Sequence, residues 1–271
     1  MALSSIIRRK PKLDARLGRA LYGNLCSFSY NFEGRRNLRR LRADGPRPSA
    51  AAAEFLGSMA RDGFYQLPEP LSSHVMIGVV EIYRAALADS TRSAAVMSLR
   101  AQQDGLDVYC RAVEDKDVPE LRQLITAEVK TLVESYFGGE PKIIMSCARR
   151  TEHVPPAIAR EYDIYSNSWH CDNEPSDRLK MFVALNDITD VSGPLHLLSR
   201  KRTRQLLREG FKNRDDTGIP LEKIEDPAYL VKFTGPVGSV MFTNVTQCLH
   251  RAGVPASGQF RDIAEFQFRT E

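Results

Sequence analysis

No run of consecutive apolar residues approaches the ~18 that a membrane-crossing helix needs. The opening Met1-Ala2-Leu3-Ser4-Ser5-Ile6-Ile7-Arg8-Arg9 lacks the apolar stretch of a secretory signal. A chain without a transmembrane segment, in the cytoplasm, is the expectation. Cysteine is sparse as well. Cys26, Cys110, Cys147, Cys171 and Cys248 are odd in number, scattered and without C-x-x-C spacing, which argues against both a disulfide framework and a structural zinc site. Reduced thiols follow from that. The chain has no internal repeat or low-complexity tract, and only five histidines: His74, His153, His170, His196 and His250.

What is present suffices for a sizeable core, since 42% of 271 residues are hydrophobic. Charge is unevenly spread. Residues 1–50 hold twelve Lys and Arg against Asp14, Glu33 and Asp44, a balance of +9; with the whole chain at +4, residues 51–271 carry −5. A basic arm on an acidic body suits an anionic surface. The run Arg35-Arg36-Asn37-Leu38-Arg39-Arg40-Leu41-Arg42 could present arginine on most sides of a helix, but no nucleic-acid module accompanies it, so no specific nucleic-acid partner is expected.

Residues 44–53, rich in Pro, Ala and Ser, read as a linker between this arm (1–50) and a single domain (51–271). Apolar spacing predicts helices over 51–61, 76–88 and 118–136, the last closed by Gly138-Gly139. A short strand is expected at 64–67. From 141 onward strands dominate, at 142–148, 180–186, 229–233, 239–243 and 263–268. Helical support over 51–140 followed by a strand-rich 141–271 implies an α+β layout with a mainly β core, in which helices cover one sheet. Residues 200–228, charged and irregular apart from a helical patch at 203–209, read as an insertion near the site mouth, of the kind that forms lids.

Two histidines and a carboxylate carry the chemistry. In Trp169-His170-Cys171-Asp172-Asn173, positions two apart share one face of a strand, ~6.5–7 Å from each other, so both side chains can reach one metal. His250, in Leu249-His250-Arg251-Ala252-Gly253, would complete a facial two-histidine, one-carboxylate set that leaves the opposite face of an iron(II) ion open. Arg261 follows eleven residues later, with a glycine-containing hairpin over 253–258 bringing its strand back beside the metal. Its guanidinium fork matches a carboxylate in a way lysine cannot copy.

These motifs, with Gly193-Pro194, Gly238-Ser239-Val240-Met241-Phe242 and Arg61-Asp62-Gly63-Phe64-Tyr65-Gln66-Leu67-Pro68, resemble the phytanoyl-CoA dioxygenase-like family of iron(II) and 2-oxoglutarate-dependent oxygenases. The resemblance covers most of the chain. It implies a double-stranded β-helix, the cupin-like jelly roll, flanked by N-terminal helices. It also implies iron(II), 2-oxoglutarate and dioxygen as cofactor and co-substrates, and hydroxylation of an unactivated C–H bond in a small molecule. Carried across position by position, His170, Asp172 and His250 match the iron ligands, and Arg261 matches the arginine that grips the far carboxylate of 2-oxoglutarate. Phe182 falls where an aromatic often stands beside the co-substrate. Two positions depart from the pattern: Ala252 stands where some members place a serine that helps hold 2-oxoglutarate, and Leu198-Ser199-Arg200-Lys201-Arg202 replaces a "pGSH" turn. An aspartate at 172, in place of a small residue, disfavours the related halogenases.

The strand after Arg261 adds an inference of its own. If Arg261 faces inward, Ile263, Glu265 and Gln267 share its face while Ala264, Phe266 and Phe268 turn toward the helices. An inward Glu265 needs a cation, for which Arg149 is the candidate, or else meets substrate. Arg149 and Glu265 are accordingly the candidate substrate contacts. Arg149 and the arginines at 200, 202, 204 and 208 favour an anionic small-molecule substrate. His74, His153, His196 and Cys248 read as structural. Two other readings remain: an inactive jelly-roll binding protein, and a jelly-roll metalloenzyme that does not use 2-oxoglutarate.

Overall fold

The computed structural model describes residues 48–174, 177–212, 214 and 218–270, with isolated positions before 48. The basic arm and its run of arginines therefore lie largely outside the described residues.

Helix α1 (Ala50–Arg61) is capped by Ser49, which accepts from Ala52 N–H, and presents Ala52, Phe55 and Met59 inward. After strand β1 (Phe64–Gln66), helix α2 (Ser73–Ala88) buries Met76, Val79, Val80, Tyr83, Ala86 and Leu87. The spacing expected to give one helix over 118–136 gives two. Pro119 opens a 3-10 turn (Pro119–Leu124), Ile125 leaves helical backbone, and the Thr126 hydroxyl caps a new helix, α3 (Ala127–Phe137), by accepting from Val129 N–H. Gly138, at φ 78°, ends it as expected.

The strands form two antiparallel sheets. The larger contains β1, β2 (Ala94–Ala95), β3 (Cys110–Glu114), β4 (Lys142–Glu152), β5 (Leu179–Ala184), β8 (Val240–Thr243) and β10 (Phe260–Arg269) in the order β1-β8-β5-β10-β4-β3-β2. The smaller is β7 (Leu230–Phe233), β6 (Leu195–Leu198) and β9 (His250–Ala252), in the order β7-β6-β9. Alternation along the central strands sorts the two faces of the large sheet. Met181, Val183, Phe242, Ala264, Phe266 and Phe268 pack under α1, α2 and α3 in the main core. Phe182, Ala184, Met241 and Ile263 point the other way and meet Leu195, Leu197 and Phe233 of the small sheet. This is the jelly roll with a helical layer on one face.

Three expectations are corrected. Strands β9 and β10 are not a hairpin. β9 pairs with β6, whereas both edges of β10 are occupied by β4 and β5, so the turn after Ala252 carries the chain from one sheet to the other. The strand expected over 142–148 runs on as β4 to Glu152, which places Arg149 and Arg150 within the sheet. Arg150 faces the helices and binds the fully buried Asp262 through two hydrogen bonds of 2.8 and 2.6 Å, where Tyr83 also donates. Finally, the described part of 200–228 is a packed helical element. Helix α4 (Arg200–Arg208), capped by Ser199, seats Leu206 and Leu207 with Phe211, Ile219 and Ile224 against Trp169, Leu198 and Leu249.

Candidate metal centre

His170, Asp172 and His250 come together at the mouth between the sheets, with one ligand atom from each lying within 4.8 Å of the others. The route differs from a regular strand pair. His170 makes only an isolated bridge with His250, exchanging N–H···O bonds of 3.0 and 2.9 Å, and the Asp172 N–H turns to the Val245 carbonyl at 3.1 Å. Each histidine is oriented through its Nδ1–H, donated to a carbonyl two residues earlier: Ser168 for His170 at 2.8 Å, Cys248 for His250 at 3.1 Å. That fixes the tautomer and frees both Nε2 lone pairs, which approach Asp172 Oδ1 at 3.4 and 3.7 Å. Burial and the neighbouring His170 push His250 down to about 3, so its ring is neutral at pH 7, as a ligand must be.

A lysine that sequence reasoning passed over completes this corner. Lys180 Nζ lies 2.9 Å from Asp172 Oδ2 and 2.9 Å from Glu265 Oε1. Burial opposes charge on all three groups, yet their neighbours outweigh it: the His170 and His250 rings, and then Lys180, hold Asp172 below the ordinary carboxylate range, Lys180 and Arg149 bring Glu265 down to about 2, and Glu265 with Asp172 keeps Lys180 a cation. Glu265 also binds Arg149 at 2.5 Å, the ion pair expected from face parity, and accepts from Gln267 at 3.2 Å. The signal for Lys180 was available, because it shares the inward face of β5 with Phe182.

Arg261 lies in the same cavity, 5% exposed. Its Nη1 donates to the carbonyls of Gly193 and Gly253, and among the described residues its Nε has no partner and no carboxylate is paired with it. Burial lowers its proton affinity to about 10. The cavity, about 100 Å³, is further lined by Arg149, Thr151, Tyr165, Phe182, Leu195, Ala252 and Ile263. Tyr165 and Ser166 reach its wall from a segment of unusual backbone, with φ of 44° at Asp163, 44° at Tyr165 and 64° at Ser166. Asp163 holds that segment by accepting from Ser168 N–H and pairing with Arg214.

No described residue of 200–228 lines this cavity, although Arg214 is held beside its wall by Asp163 and the Trp169 carbonyl. Arg202 is buried, donating to the Lys223 carbonyl and stacking on Tyr229. Arg200, Arg204 and Arg208 line a separate cleft with Arg61 and Lys201. Cys248 is interior filler against Gly63, and the four described cysteines are buried and form no disulfide with one another. No described helix is long and apolar enough to cross a membrane.

Gly193 supports the arginine. At φ 69°, a Cβ on it would stand 2.5 Å from Pro255 N and 2.7 Å from Gly253 O. Gly193→Ala is expected to cost ~1–3 kcal/mol by denaturant titration and to shift the carbonyl that aligns Arg261. Unchanged stability would mean that the turn is not held as described.

No family model and no curated protein matches the chain. Solved structures similar in fold include the epimerase SnoN in complex with Fe3+, alpha ketoglutarate and nogalamycin RO, at 17% identity over 82% of this chain and 84% of that one (TM-score 0.58). The non-heme alpha ketoglutarate dependent carbocyclase SnoK from nogalamycin biosynthesis matches at 15% identity, 83% and 87% coverage and TM-score 0.57. EctD from S. alaskensis with 2-oxoglutarate and 5-hydroxyectoine matches at 17% identity, 83% and 79% coverage and TM-score 0.61.

Proposed function

We propose that this chain is a non-haem iron(II) and 2-oxoglutarate-dependent dioxygenase of the phytanoyl-CoA dioxygenase-like kind, hydroxylating an unactivated C–H bond of a small molecule. The observation that carries this is Arg261. A buried guanidinium without an acidic partner among the described residues is costly unless a ligand brings the countercharge. It shares that cavity with the three candidate ligands. In a zinc or manganese enzyme Arg261 would serve the substrate instead of 2-oxoglutarate, and that reading predicts no succinate formation. The neighbours whose structures contain iron or 2-oxoglutarate support the same reading.

In this reading His170, Asp172 and His250 would hold the metal, and Arg261 would supply the countercharge for the far carboxylate of 2-oxoglutarate. Phe182, Leu195 and Ile263 are apolar parts of the cavity wall. Ala252 offers no hydroxyl, so the arginine and its carbonyl braces orient the co-substrate. Bound iron(II) supplies the oxidising chemistry, in which dioxygen and 2-oxoglutarate give succinate and carbon dioxide while one oxygen atom enters the substrate C–H bond.

Anaerobic titration of the iron(II)-loaded protein with 2-oxoglutarate is the test. The expected result is a weak visible charge-transfer band with saturable calorimetric binding. No band and no heat would refute the proposal.

A further inference from the structure

Three cations and two carboxylates line the metal cavity: Arg149, Lys180 and Arg261 against Asp172 and Glu265. The excess is one positive charge. A divalent ion adds two and the 2-oxoglutarate dianion removes two, so the excess of one survives loading. Its location can be traced. Arg261 is neutralised by the far carboxylate of 2-oxoglutarate. Asp172 shares its charge with the metal, which weakens its hold on Lys180. What remains is Lys180 and Arg149, both drawing on Glu265, at 2.9 and 2.5 Å. Glu265 also accepts from Gln267, so one carboxylate serves three donors. Arg149 still has an Nε without a partner, and a quarter of its side chain remains accessible.

We infer that the substrate carries a single anionic group of carboxylate type, seated between Arg149 and Lys180, and that this pair selects anionic over neutral substrates. The inference rests on the iron and 2-oxoglutarate reading of the site. It also constrains where the oxygen goes. Lys180 Nζ stands 2.9 Å from Asp172 Oδ2, so an anion bound there is next to the metal ligands, and the C–H bond attacked lies only a few bonds from it.

The probe is methanesulfonate, a monoanion that binds metals poorly, with dimethyl sulfone as its neutral isostere. Both are titrated calorimetrically, without oxygen, into protein loaded with iron(II) and 2-oxoglutarate. Methanesulfonate is expected to bind saturably and dimethyl sulfone not to bind. Arg149→Gln, which leaves Lys180 balanced by Glu265, is expected to weaken methanesulfonate roughly tenfold or more, the worth of a charge-assisted hydrogen bond. Glu265→Gln removes the competing carboxylate and is expected to tighten it, an opposite sign that a merely structural role for the pair would not give. Equal binding of the two probes, or methanesulfonate affinity unchanged in Arg149→Gln, overturns the inference, and those arms decide it even if Glu265→Gln does not fold. The 2-oxoglutarate band is recorded on the same samples before the probe is added. Its absence refutes the dioxygenase reading and this inference together, whereas a normal band without methanesulfonate binding refutes the inference alone.

Discussion

Arg261→Met is expected to lower 2-oxoglutarate affinity by ~10²–10³-fold while making the unliganded protein more stable, by about 1 kcal/mol. The two signs come from one cause. In the free protein the guanidinium is buried, braced only by the Gly193 and Gly253 carbonyls, and burial already lowers its proton affinity to about 10. Replacing it with an apolar side chain of similar length removes an uncompensated charge and keeps the packing. A carboxylate ligand, however, loses a charge-assisted bond to a buried guanidinium. Arg261→Lys keeps the charge but not the fork, so its loss is smaller, about tenfold. Calorimetry with 2-oxoglutarate and denaturant titration of the apo proteins read the two effects separately. Iron(II) affinity, which the proposal assigns to His170, Asp172 and His250, is expected to stay within about threefold of wild type. If Arg261→Met destabilises the apo protein and retains 2-oxoglutarate binding, the arginine is a structural brace and the proposed co-substrate site is wrong.

Much of this arrangement was written in short-range pattern. Strand parity after Arg261 put Ile263 and Glu265 in the cavity and Ala264, Phe266 and Phe268 under the helices, because a pleated strand alternates regardless of which strand it pairs with. The Arg149–Glu265 pair followed from the cost of burying one charge alone. Partner choice between strands was not legible. A glycine-containing link between His250 and Arg261 suggests a hairpin, yet sheet membership is decided by which edges are already filled, a property of the whole fold. The break at Thr126 was hidden for a related reason: the apolar spacing continues across it, and only the cap and Pro119 reveal two elements. The segment 200–228 looked irregular because its net charge masks the few positions, Leu206, Leu207, Phe211, Ile219 and Ile224, that anchor it. Lys180 was passed over because a lysine in an apolar strand is ordinarily placed at its solvent edge.

Lys180→Met is expected to destabilise the apo protein by roughly 2–4 kcal/mol and yet to tighten divalent-metal binding about tenfold. Lys180 is 12% exposed and lies between two carboxylates, Asp172 and Glu265, each 2.9 Å away. Without it Glu265 keeps Arg149 and Gln267, but Asp172 loses its lysine and keeps the two imidazoles at 3.4 and 3.7 Å. Breaking one partner out of a buried network strands the other charge, which is the source of the lost stability. The same vacancy favours the metal. In the wild type Lys180 and the incoming ion compete for one aspartate and repel each other across a short distance, where even a well-screened interaction is worth several kcal/mol. Removing the competitor therefore raises metal affinity, and linkage requires that saturating metal return more stability to Lys180→Met than to the wild type. Melting temperatures with and without manganese(II), together with a direct metal titration, test both halves. A variant that loses stability and metal affinity together would show Lys180 to be a scaffold for Asp172 rather than a stand-in for the ion, and the balance of charges assigned to the loaded cavity would then have to be redrawn.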